Sequence, residues 1–268
     1  MNMSTGAGLV AVGDSVSEGV GDPHRGGALR GWIHYLTERP GRGQGSGRPG
    51  PVLVANLARS GATVAALRSH QLDRAVALAP AYITCVIGVN DVIAGRFDAA
   101  RFEEDYAYAV AVLSAAASAG VLTMTLHDVG ASLPLPRARR AELRRRIAEA
   151  NEVIERVSRR HGAWMIDARE GVRVERAGMV CVDRLHPNRR GHRYLAALAG
   201  DVLRTGGGAA PAPAVIPDAD PLGDRIVSGA RHTLWVGRHL LRPLAGALFT
   251  SPRAGRVRAS SRPAGRRW

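Results

Sequence analysis

Gly-Leu-Val-Ala-Val-Gly-Asp-Ser-Val-Ser-Glu-Gly-Val-Gly, residues 8–21, is the stretch on which the reading of this chain turns. Residues 9–12 are a short apolar run that predicts a buried strand, and Gly13-Asp14-Ser15 interrupts it with residues suited to a turn and a helix cap. If a helix follows, as in an open α/β sheet, Ser15 stands at its start, in the crevice beyond the strand's carboxyl end where such folds hold ligands. Its backbone N–H is then one of the donors that a helix leaves without an intrahelical partner, open to a developing negative charge. The plainer alternative is that Ser15 only caps the helix. Gly-Asp-Ser alone does not separate the two.

Outward from this stretch, the chain repeats the strand-then-helix pattern. Residues 28–38 place Leu29, Ile33 and Leu36 at helical spacing before Arg39-Pro40, and residues 41–50 are a Gly-rich loop. A second strand is predicted over 51–57, closing on Ala58-Arg59-Ser60-Gly61. A helix over 62–78 follows, with Leu67 and Val76 among its apolar positions, and Pro80 ends it. Residues 82–87 are a continuous apolar run of strand length that leads into Gly88-Val89-Asn90-Asp91. Next come an Ala-rich helix over 98–119 and a strand over 121–126. An Arg-rich helix over 137–161 has Leu143, Ile147, Val153, Ile154 and Val157 on its apolar face; a strand over 163–166 and a helix over 188–203 complete the series. Five strands alternating with helices argue for a parallel sheet covered on both faces, a doubly wound three-layer α/β/α sandwich.

At 268 residues the chain can bury one substantial core and still carry an appendage. It has no apolar run of membrane-spanning length and no signal-peptide pattern at the start, so a cytoplasmic protein is the expectation. Two cysteines, Cys85 and Cys181, cannot build a disulfide scaffold, and Cys85 sits in a strand-like run as a small core residue. The net charge of +14 invites a nucleic-acid reading, but the ten arginines and no acidic residue after Asp224 put +10 of it in the tail. The cluster Arg137, Arg139, Arg140, Arg144, Arg145 and Arg146 reads as a solvated helix face. Residues 206–223 have the Gly/Ala/Pro composition of a linker, dividing a folded domain over 1–205 from a basic tail over 224–268. In that tail Ile226, Ala230, Leu234, Gly237 and Leu241 form the stripe of an amphipathic basic helix, which Pro243 interrupts. Such a helix docks on its own domain, or adsorbs to an anionic membrane surface or a protein partner; nucleic acid is the weaker reading.

The second informative stretch is Asp183-Arg184-Leu185-His186-Pro187. Histidine can take a proton from a serine hydroxyl and return it to a leaving group when a carboxylate fixes its tautomer, and a loop spacing of three lets Asp183 reach the His186 ring. Pro187 disfavours helical geometry at His186 and suits the first turn of the helix that follows. Acyl transfer also needs donors where the oxyanion forms. Gly61, past the second strand, can offer a backbone N–H, and Asn90, past the third, a side-chain amide. Singly, each has a duller account as a turn residue or a helix cap. Together with Ser15 they fall at the carboxyl ends of successive predicted strands, on one edge of the sheet.

Gly13-Asp14-Ser15, Gly61 in Ala58-Arg59-Ser60-Gly61, Gly88-Val89-Asn90-Asp91 and Asp183-Arg184-Leu185-His186-Pro187 resemble, in order, the four sequence blocks of the SGNH hydrolases, the GDSL-type esterases, over roughly residues 8–200. The resemblance implies a flavodoxin-like sandwich and a catalytic domain over 1–205. It implies Ser15 as nucleophile, His186 as general base and Asp183 as its orienting carboxylate, with an oxyanion hole from the Ser15 and Gly61 N–H groups and the Asn90 amide. It implies neither a metal nor an organic cofactor. Val16 stands where the family name has Leu. The pattern is not the Gly-x-Ser-x-Gly nucleophile elbow, since residues 13–17 lack the second glycine.

The expected function is therefore a serine esterase acting on a small ester, with short acyl or acetyl groups favoured because no long apolar loop announces a fatty-acyl tunnel. A thioesterase or acyltransferase using the same site, or a binding protein working through its basic tail, are the competing readings. His127 and Asp128 follow the fourth strand and are read as structural or supporting residues near the pocket; His24 and His34 are read as incidental.

Overall fold

The computed structural model describes residues 7–24, 28–38, 51–93, 96–169 and 178–207, and the isolated positions 226, 229, 230 and 233. In chain order the elements are β1 (Gly8–Gly13), α1 (Ser15–Glu18), α2 (Gly31–Thr37), β2 (Val52–Asn56), α3 (Val64–His70), α4 (Leu72–Ala77) and β3 (Tyr82–Val86). They continue with α5 (Val89–Ile93), α6 (Ala99–Ala116), β4 (Gly120–Met124), α7 (Val129–Ser132), α8 (Arg137–Arg160), β5 (Trp164–Ile166) and α9 (Arg189–Thr205). The strands form one sheet in the order β2-β1-β3-β4-β5, and every pairing is parallel. The expected α/β/α sandwich is thus the observed fold.

Parallel strands that are covered on both faces must be apolar on both, and β1 shows how the sheet divides its side chains. Val10 and Val12 point to a core shared with Leu67 of α3, Val110 of α6 and Ile154 of α8, while Leu9 and Ala11 point to a second core with Trp32 and Ile33 of α2 and Ala199 of α9. Burying one such aliphatic side chain contributes about 1.5–3 kcal/mol, so the two cores fix the register of the sheet. Topology then places the carboxyl ends of β1, β2, β3 and β4 on one edge.

The expected helix over 62–78 is two helices, broken at Gln71. The break frees that side chain for the backbone: Gln71 Oε1 accepts from Gly13 N–H at 2.8 Å and Gln71 Nε2 donates to the Gly13 carbonyl at 2.9 Å. It also turns Val76 to solvent, contrary to the expectation, while Leu72 and Ala75 take the buried positions. Arg137, Arg139, Arg144 and Arg145 of α8 are solvated as the charge pattern predicted, and ion pairs join Arg145 to Glu142 and Glu149 and Arg156 to Glu103. Arg140 and Arg146 depart from the expectation, being partly buried, with Arg146 paired to Glu142 and donating to the Val92 carbonyl at 3.2 Å. Helix α9 starts at Arg189 with Asn188 as its cap, so Pro187 precedes the helix instead of opening it. It ends at Thr205, where Gly206 takes a left-handed conformation. Most of the expected linker over 206–223, and the amphipathic stripe beyond it apart from Ile226 and Ala230, lie outside the described residues.

Candidate active site

The turn that carries Ser15 is held by one local contact and two from distant parts of the chain. Asp14, not Ser15, is the helix cap: its carboxylate accepts from Val16 N–H at 3.0 Å, which answers the alternative reading and leaves the serine side chain unused by the helix. Gln71 holds Gly13 by both backbone groups, and the Asp14 N–H donates to the Val86 carbonyl at 3.3 Å. Ser15 is the first residue of α1, so its own N–H has no partner within that helix. Asp14 is buried, and desolvation, with the Asp91 charge adding to it, raises its pKa to about 7.

His186 lies 171 positions away in sequence and meets that serine directly: His186 Nε2 and Ser15 Oγ are 3.0 Å apart. Behind it, His186 Nδ1 lies 2.7 Å from Asp183 Oδ2. An ionised carboxylate can only accept, so Nδ1 carries the proton and Nε2 is the acceptor for the serine O–H. The other carboxylate oxygen accepts from the N–H groups of Leu185, at 3.0 Å, and His186, at 3.1 Å. The short loop is thus built around its own acid, the geometry that the spacing of three predicted.

Long-range contacts tie this loop to the serine turn. Val180 and Pro187 form an antiparallel bridge that closes the His186 loop at its base. Gly21, at φ +106°, carries the loop after α1 so close to the Pro187 carbonyl that a Cβ would lie 1.9 Å from that oxygen. Arg189 pairs with the fully buried Asp22 at 3.1 Å, and His192 Nε2 donates to the Val20 carbonyl at 2.9 Å while its Nδ1 accepts from Trp32 N–H at 3.2 Å. The sequence reading missed Asp22, Gln71 and His192, because their roles consist of contacts to residues 58 to 172 positions away.

The loop that carries Gly61 is tied to α1 and to α5. Gly61 is exposed and stands at φ +78°, with nothing within 4 Å of where a Cβ would project. The left-handed backbone favours glycine there, and the open space leaves its N–H approachable. Its loop is held from one side by Glu18 of α1, which accepts from Ser60 N–H at 2.8 Å. From the other side Asn90 Nδ2 donates to the Ala62 carbonyl at 2.9 Å, and the Asp91 carboxylate accepts from Val64 N–H at 3.2 Å. An amide nitrogen has two hydrogens, so the bond to Ala62 fixes one and leaves the second for a ligand. Asn90 sits inside α5 and not ahead of it as a cap. Asp91, partly buried, has its pKa raised to about 6 by desolvation.

His127 and Asp128 leave the end of β4 on the same edge. Asp128 caps α7 through Ala131 N–H at 3.1 Å and pairs with Arg144 at 2.6 Å, the supporting role expected of it. His34 bonds Arg30 and Glu38, far in sequence from these blocks, and His24 is exposed. Among the described residues no group of three or more His, Cys, Asp or Glu is arranged to hold a metal ion, and no helix is long and apolar enough to cross a membrane.

A parallel α/β/α sandwich with a hydroxyl, an imidazole and a carboxylate in hydrogen-bonded series at the carboxyl edge of its sheet has the architecture of an acyl-cleaving hydrolase. Residues 11–194 match the GDSL-like Lipase/Acylhydrolase family, and the chain belongs to that family, a carboxylic ester hydrolase of the SGNH type. Solved structures agree on the fold. The acetylxylan esterase Axe2 from Geobacillus stearothermophilus is 20% identical, with 78% of this chain and 98% of that one covered at a TM-score of 0.58. LAE5, an alpha/beta hydrolase enzyme from the metagenome of Lake Arreo, is 22% identical over 76% and 95% at 0.55. The psychrotrophic esterase EstA from Pseudoalteromonas sp. is 18% identical over 74% and 97% at 0.57. Among curated protein sequences none matches this chain.

Proposed function

We propose that this chain hydrolyses short-chain carboxylic esters through an acyl-enzyme, with Ser15 as nucleophile, His186 as general base and acid, and Asp183 as the orienting carboxylate. The observation that carries the reading is the unbroken series from Ser15 Oγ through the His186 ring to Asp183, at 3.0 and 2.7 Å.

In the first half-reaction Ser15 Oγ attacks the ester carbonyl carbon and its proton passes to His186 Nε2. The carbonyl oxygen becomes an oxyanion facing the Ser15 and Gly61 N–H groups and the second hydrogen of the Asn90 amide; removing one such donor typically costs about 2.7–4 kcal/mol in the barrier. The carbon–oxygen bond to the alcohol then breaks, and the alcohol leaves with the proton held by His186. Water repeats the sequence on the acyl-serine, giving the acid and free Ser15.

The likeness to an acetylxylan esterase supports acetyl groups as the acyl portion. Mixing the protein with p-nitrophenyl acetate is expected to release a burst of nitrophenol followed by a slower steady rate. Ser15→Ala is expected to abolish both. Unchanged turnover in that variant would overturn the assignment.

A further inference from the structure

Resting on the esterase reading above, we infer that His127 is a substrate-contacting residue that receives the alcohol portion of the ester and hydrogen-bonds a hydroxyl carried by it. Three independent features of the fold lead there.

The first is placement. The sheet order puts β1, with Ser15 at its end, next to β3, with Asn90 beyond it, and β3 next to β4, from which His127 emerges. The oxyanion donors follow β1, β2 and β3, so the carbonyl oxygen is turned toward them. The alcohol oxygen must lie beside His186 to collect its proton, and His127 is within electrostatic reach of His186.

The second is the way His127 is held. Asn151 of α8 accepts from Leu126 N–H at 2.6 Å and donates to the Leu126 carbonyl at 2.8 Å. This is the same two-bond amide clamp that Gln71 places on Gly13, two residues ahead of Ser15. On its other side Asp128 is fixed by its cap on α7 and by Arg144. The backbone on both sides of His127 is thereby rigid, while no group among the described residues hydrogen-bonds its ring.

The third is chemistry. Desolvation lowers the pKa of the partly buried ring, with Asp128 opposing and the neighbouring His186 adding to the shift, which favours the neutral form. A neutral imidazole offers one donor and one acceptor, which together match a hydroxyl, itself both donor and acceptor. Neutrality also keeps a second cation away from His186 while that ring carries the proton. The substrate class is thus an ester of a hydroxyl-bearing alcohol, such as a polyol or a sugar.

The test compares glycerol monoacetate with n-propyl acetate, which share acyl group and carbon count and differ by two hydroxyls. In wild type the ratio of kcat/KM values is expected to favour glycerol monoacetate. In His127→Leu that ratio is expected to fall about tenfold, the scale of one lost hydrogen bond, chiefly through KM for the glycerol ester. His127→Gln, which retains a donor and an acceptor, is expected to restore it to within about threefold of wild type. A ratio unmoved by His127→Leu, whether the individual rates persist or fall together, overturns the inference, as does wild-type preference for n-propyl acetate. Wild-type protein inert toward both esters, and toward p-nitrophenyl acetate, defeats the esterase reading itself, so the two failures are distinguishable.

Discussion

At the residue scale, Asp183 has three jobs packed into one carboxylate. One oxygen holds the His186 ring, and the other is shared by the N–H groups of Leu185 and His186, so the acid both shapes its loop and selects the imidazole tautomer. Asp183→Asn preserves an acceptor for the loop but can present N–H toward His186 Nδ1, which favours the tautomer with its proton on Nε2. That form cannot accept from Ser15. The expected outcome is a fall in kcat of about 10⁴-fold with a nearly unchanged melting temperature, because the loss is of the correct tautomer and not of the loop. Steady-state kinetics alongside thermal unfolding checks it: a kcat within tenfold of wild type removes Asp183 from its proposed role.

At the scale of elements, one break in regular structure supports the site. The helix expected over residues 62–78 gives up its continuity at Gln71, and the released side chain grips the end of β1 immediately ahead of Asp14 and Ser15. Gln71→Leu keeps the volume but leaves the Gly13 N–H buried without a partner, at about 1–3 kcal/mol, while the Gly13 carbonyl keeps the Arg59 N–H at 3.1 Å. Denaturant titration is expected to show a lower midpoint with an unchanged slope, and ester hydrolysis is expected to fall as the serine turn loosens. A midpoint equal to wild type would show that water or another side chain takes over the bond to the Gly13 N–H. The chain around Gly13 has an N–H and a carbonyl like any other, and nothing local names Gln71 as their partner. That residue was accordingly legible only as a helical position, whereas Asp183 and His186, three apart, were legible as a pair.

At the scale of the whole molecule, burial of carboxyl groups beneath the site makes stability depend on pH. Asp14, with a pKa of about 7 in the fold against 3.8 unfolded, binds a proton more tightly in the native state, and Asp91, at about 6, adds to the effect. Their contribution is fully present below about pH 3.8 and is lost as pH rises through about 6 and then about 7. Within that window each proton difference tilts the unfolding free energy downward by up to about 1.4 kcal/mol per pH unit. Asp14→Asn retains an oxygen for the Val16 N–H and cannot ionise, so it is expected to flatten the upper part of this dependence between about pH 6 and 7. Melting curves of wild type and variant across pH 4–8 decide it; parallel curves would place the proton elsewhere.

The sequence by itself determined the alternation of strands and helices, because apolar periodicity and turn residues are local properties, and it determined the residue types of the candidate site, because Gly-Asp-Ser, Gly-Val-Asn-Asp and Asp-Arg-Leu-His-Pro each carry their chemistry within a few positions. Only the tertiary structure decided that Asp14 caps the helix in place of Ser15, that Asn90 spends one amide hydrogen on Ala62, and that Gln71 and Asn151 clamp two strand ends from distant helices. It also placed His127 beyond the end of β4, on the same sheet edge as Ser15 and with no hydrogen bond to its ring among the described residues. Those facts rest on which buried backbone groups find which side chains once the sheet is packed on both faces, and a chain read in order holds no record of that pairing.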